Sequence, residues 1–139
     1  MLRVLSCGFS EMFFMIVRDL NALWSLVRAD GFFEALCAGN PDWDSMLDAR
    51  DEAGFDEQWT QHHLTVQSTP LAGEVIENIT LLREWVFKNV FSVSDNAELA
   101  GYVSDDFGLI AYHLESNTYS AWVTGLLDAY IHNQFPHSP

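Results

Sequence analysis

The sequence predicts an all-α fold, a single compact domain of six or seven helices over residues 1–139, with 60–68 as one short irregular or β segment. Three observations carry this reading. Apolar residues recur at spacings of three and four along most of the chain, the pattern of helices that bury one face. Gly, Asn-Pro and Thr-Pro interrupt that pattern at intervals suited to helices of about 8 to 20 residues. The 139 residues amount to about one domain, which buries on the order of 70% of its unfolded surface. With 49% hydrophobic and 14% aromatic residues, the chain can fill one core without disulfides or metal. It contains no internal repeat, low-complexity tract or interdomain linker.

Taken in order, residues 1–9 are expected to be extended or disordered. Ser10 then caps a long helix in which Phe13, Ile16, Val17, Leu20, Leu23, Trp24 and Val27 form the apolar stripe, ending near Asp30-Gly31. A short helix from Phe32 to Ala38 stops at Gly39. Asn40-Pro41 supplies a cap and a first-turn proline for a helix from Pro41 to about Ala53, terminated by Gly54. On it Trp43, Met46, Leu47 and Arg50 share one side. Because Arg50 sits among apolar residues with no acid four positions away, its stem should pack and its head should meet a carboxylate on another element. Residues 55–68 are mixed. Thr69-Pro70 opens a helix carrying Val75, Ile79, Leu82, Val86 and Val90 to about Phe91. Ser94 or Asp95, with Glu98 at capping-box spacing, starts the next. Ser104 caps another, whose first turn holds Asp105 and Asp106 beside the helix dipole. The last helix, about Tyr119 to Asn133, buries Trp122, Val123, Leu126, Leu127 and Tyr130. Residues 135–139 form a tail.

The segment 40–59, NPDWDSMLDARDEAGFDEQW, carries seven of the chain's 20 acids and one Arg. Asp44, Asp48, Asp51 and Glu52 fall on the side opposite Trp43 and Leu47. Like charges three or four apart cost a helix a few tenths of a kcal/mol per pair, so local stability does not explain them, although Asp42 and Asp44 suit a helix N-terminus. The net charge of −14 repels nucleic acid and anionic membranes and favours encounter with a basic protein. No direct nucleic-acid or membrane partner is expected. The first twenty residues lack the uninterrupted apolar run of a span and the cleavage site of a signal, and Met12 and Met15 are alternative starts. With only Cys7 and Cys37 and no Cys-x-x-Cys, a cytoplasmic, reduced chain is expected.

Motifs for chemistry are absent or incomplete. A calcium loop starting at Asp42 would need an oxygen ligand at 46, Gly at 47 and Glu at 53, where Met46, Leu47 and Ala53 stand. His62 and His63 are adjacent, so their rings point apart, and no His-x-x-x-His pairs two imidazoles. Neither cysteine has a nucleophile motif, and Asp105-Asp106 is explained by the dipole. No catalytic residue, metal ligand or cofactor site is assigned.

In size, charge and helical class the whole chain resembles the small acidic immunity proteins that bacteria pair with polymorphic or contact-delivered toxins. The resemblance implies a stoichiometric inhibitor, not an enzyme, that covers a basic toxin. Under it, Asp42, Asp44, Asp48, Asp51, Glu52, Asp56 and Glu57 meet toxin Lys and Arg, with Trp43 and Trp59 packing at the centre. Two other classes fit the composition: a nucleic-acid-mimicking phage or mobile-element inhibitor of the anti-restriction or anti-CRISPR type, and a small enzyme or metal-binding protein.

Overall fold

The computed structural model describes residues 17–39, 42–118 and 120–137. Among these residues there are seven α-helices and no strand, arranged as one compact domain. They are α1 (Leu20–Val27), α2 (Phe32–Ala38), α3 (Trp43–Arg50), α4 (Ala53–Gln67), α5 (Gly73–Ser94), α6 (Ala97–Ser116) and α7 (Ala121–Ile131). The expected features at Ser10, Phe13, Ile16, Cys7, residues 1–9, Asn40-Pro41, Tyr119 and 138–139 lie outside the described residues.

The long antiparallel pair α5 and α6 is the centre of the fold and makes its most extensive interhelical contact. On α5, Leu82, Val86 and Val90 are fully buried, with Ile79 close to it. On α6, the fully buried set includes Leu99, Ala100, Val103, Phe107, Ile110 and Ala111, so the helix is covered on most of its circumference. The turn between them is short because Asp95 adopts a left-handed conformation (φ 54°) and Asn96 accepts from the Leu99 amide, a cap that ends one helix and begins the next. The remaining helices pack around this pair. The Trp24 indole donates to Asn78, and that of Trp85 to the Val27 carbonyl, fastening α1 to α5.

Four expectations are corrected. The first described helix does not continue back through Val17, because Asp19, in an extended conformation, caps α1 by accepting from the Ala22 amide. The acidic helix ends at Arg50 rather than Ala53, and Gly54 lies inside α4 instead of terminating α3. Residues 60–68 are helical through Gln67, since α4 is anchored by Val66 and by partly buried Trp59, His62 and His63 rather than by β pairing. Ser104 caps nothing: α6 is continuous from Ala97, and the Ser104 hydroxyl donates to the Arg83 carbonyl across the α5–α6 contact. Asp105 and Asp106 therefore sit in the middle of a helix, away from any dipole end.

Candidate functional site

α3 is eight residues long and touches the body through few side chains. Leu47 and Arg50 are buried, and Trp43, half-buried, packs edge-on against Phe135 at 6.0 Å. Arg50, only 4% exposed, turns its guanidinium inward to Asp106, which is fully buried on α6. The pair is bidentate, with Nη1 to Oδ2 and Nη2 to Oδ1 both at 2.8 Å. The same carboxylate accepts the Trp59 indole N–H at 2.9 Å and the Tyr130 hydroxyl. Arg50 Nη1 also donates to the Pro136 carbonyl. Phe55, Tyr102 and Phe135 surround the guanidinium, with ring centres 4.4 to 5.0 Å from it. One carboxylate thus joins α3, α4, α6 and α7, with Arg50 adding the C-terminal segment through Pro136, and the expectation that Arg50 finds an acid on another element holds.

Burial is the strongest single influence and opposes the charge on Arg50, but Asp106 and Tyr130 together outweigh it and hold the guanidinium above its ordinary value. Burial, and then the Asp106 charge, push the Tyr130 phenol well above its own, so it remains a hydrogen-bond donor. Arg50 Nε has no acceptor among the described residues. A network of this kind contributes little net stability when intact, yet removing one charge strands the other in the interior at a cost of about 3 to 5 kcal/mol.

Turning Arg50 inward removes the one cation of the acidic stretch from its surface. Asp42, Asp44, Asp48, Asp51, Glu52, Asp56 and Glu57 are all exposed, and among the described residues no ion pair joins any of them. Asp42 accepts from the Ser45 amide as the cap of α3, and Asp51 accepts the Tyr102 hydroxyl at 2.6 Å. Trp59 is half-buried with its N–H committed to Asp106 and its ring stacked on His63 at 5.2 Å. His62 turns the other way, against Trp122, with its ring nitrogens near the Gln58 carbonyl and the Ser120 hydroxyl.

Trp59 forms a ridge between two concavities. On one side is a 160 Å³ cleft lined by Arg50, Phe55, Asp56, Trp59, Tyr102 and Asp105. On the other is a 400 Å³ groove between α4, α5 and α6, to which Val66, Ile76, Leu109 and Tyr112 bring apolar surface. Asp105 borders both, held by an ion pair with Arg83, whose stem lies flat over Gly108; a Cβ there would come within 2.6 Å of Arg83 Cδ. The Tyr102 phenol is pushed up to about 12, first by its hydrogen bond to Asp51, then by burial and the charges of Asp51 and Glu98.

Tyr102, Asp105, Asp106 and Tyr130 were not among the residues expected at this site. A signal for Asp106 exists in the sequence: it shares a helical face with Leu99, Val103 and Ile110 at spacings of four, three and four. A carboxylate on one apolar stripe and an arginine on another predict a buried pair.

No set of three His, Cys, Asp or Glu able to hold a metal occurs among the described residues. Burial, and then Glu34, raise the Cys37 thiol, which makes it a poor nucleophile. No helix among the described residues is long and apolar enough to cross a membrane. No curated protein matches the chain. A family model described as Immunity protein PIM1 matches residues 22–137.

Proposed function

Because the chain belongs to the Immunity protein PIM1 family, we propose that it is a non-enzymatic, stoichiometric inhibitor that binds a basic toxin in the cytoplasm through the acidic surface of residues 42–59. The observation that carries this reading is the direction of Arg50. The one cation in the segment is withdrawn into the core, while seven carboxylates stay exposed without an ion-pair partner among the described residues. Left alone, that face carries uncompensated repulsion; a cationic protein relieves it and is steered to it. Asp44, Asp48, Glu52, Asp56 and Glu57 supply the field, and the Trp59 ridge with its flanking groove supplies apolar contact. Trp43 fits a supporting role, since its ring leans on Phe135.

The test is charge reversal at positions without internal hydrogen-bond duties. The triple variant Asp44→Lys, Asp48→Lys, Glu52→Lys should keep its helical circular dichroism and lose protection of cells expressing the cognate toxin. Full protection by a folded triple variant would refute the reading.

A further inference from the structure

We infer that the cleft between Phe55, Trp59 and Tyr102 is a receptacle for a single arginine side chain of the partner, with Asp56 as its counter-charge; this rests on the protein-inhibitor reading above and specifies its central contact. Size limits the occupant. At 160 Å³ the cleft matches a cavity that takes one benzene-sized group, roughly 150 Å³, and is far too small for a helix or a nucleotide.

Chemistry narrows it further. Three walls are aromatic and half-buried, surfaces on which a planar cation stacks more readily than a compact, strongly hydrated ammonium. The same rings already take a guanidinium, since Arg50 Cζ lies 4.4 Å from the centre of Phe55 and 5.0 Å from that of Tyr102. Its charge does not repel a second cation strongly, since Asp106 holds it in a bidentate pair.

The rim is acidic. Asp56 is exposed and makes no ion pair among the described residues, Asp51 is held in place by the Tyr102 hydroxyl, and Asp105 is already paired with Arg83 from the far side. Asp56 is therefore the carboxylate left to receive a guanidinium entering between Trp59 and Tyr102. The 400 Å³ groove across the Trp59 ridge, where Val66, Ile76, Leu109 and Tyr112 lie beside the Arg83–Asp105 pair, suits the residues that flank such an arginine.

The experiment uses the whole chain and N-acetyl-arginine amide as probe, followed by NMR of the Trp59 indole N–H, whose position is fixed by Asp106. Saturable shifts of this signal are expected at millimolar probe. N-acetyl-lysine amide should bind more weakly, and Asp56→Asn should weaken the arginine probe by about tenfold. An unmoved Trp59 signal, or equal shifts in Asp56→Asn, would overturn the inference. A second arm separates it from the broader reading. If Asp44→Lys, Asp48→Lys, Glu52→Lys abolishes toxin binding while Asp56→Asn binds as tightly as the parent, the acidic face stands and the arginine receptacle falls. If Asp56→Asn alone weakens toxin binding about tenfold or more, the receptacle is supported.

Discussion

α6 and α3 both carry a buried charge, and they are held in opposite ways. α6 is packed on most sides by side chains such as Val103, Phe107 and Ile110, so its place is set by apolar area, each fully buried side chain contributing roughly 1.5 to 3 kcal/mol. α3 buries only Leu47 and Arg50, and its position depends on the directional bonds of one guanidinium to Asp106 and Pro136. Apolar packing tolerates substitutions that conserve volume; a bidentate ion pair tolerates almost none. The helix that displays the charge is therefore oriented by the one cation that could have neutralised it.

The sharpest break in this comparison is Asp106→Ala. It leaves Arg50 charged and buried and takes the acceptor from Trp59 and Tyr130, so unfolding in urea should show a loss of about 3 to 5 kcal/mol. Next is the double variant Arg50→Met, Asp106→Asn, which removes both charges and keeps one oxygen to accept the Trp59 N–H, while the new amide N–H can donate to the Tyr130 hydroxyl oxygen. It should recover much of the stability, giving a coupling of about 2 kcal/mol when set against the single variants Arg50→Met and Asp106→Asn, while amide exchange in α3 accelerates and that in α5 and α6 does not. Unchanged α3 exchange would show that the network does not place this helix.

How much of this was readable beforehand follows the same division. The helical class, the punctuation around 31–39 and the α5 stripe through Ile79, Leu82, Val86 and Val90 were legible because one face of each element is apolar and local signals agree. Arg50 could be flagged as a residue awaiting a carboxylate because its neighbours at helical spacing are apolar. Its partner was misread: Ser104-Asp105-Asp106 has the composition of a helix start, and only the tertiary contact with Arg50 makes a mid-helix aspartate tolerable. Likewise Gly54 looked like a terminator, whereas the chain turns earlier, at Asp51 and Glu52. The cleft could not be read from sequence, since Tyr102 and Asp105 come from a helix about fifty residues away from Phe55 and Trp59.

A smaller effect separates display from stability. Replacing Asp48 by Lys removes a like-charge neighbour of Asp44 and creates an acid-to-lysine pair four residues apart, so stability should rise by about 0.3 to 0.5 kcal/mol in chemical denaturation even as partner binding weakens. The smallest concerns Tyr102. Its phenol is raised from 10.0 to about 12, so the folded chain keeps a proton that the unfolded chain loses. The stabilisation is complete below pH 10 and disappears as pH rises through 12. Tyr102→Phe should show a shallower decline in stability across that window, followed by denaturation at stepped pH.

The central claim is that the outward carboxylates of α3 and the start of α4 attract a cationic protein partner. Its most direct test is the association rate with the cognate toxin as a function of ionic strength. For the parent chain the rate should fall steeply as added salt shortens the screening length below about 8 Å, and in Asp44→Lys, Asp48→Lys, Glu52→Lys it should be slow and nearly independent of salt. Equal rates and equal salt dependence in the two proteins would contradict it.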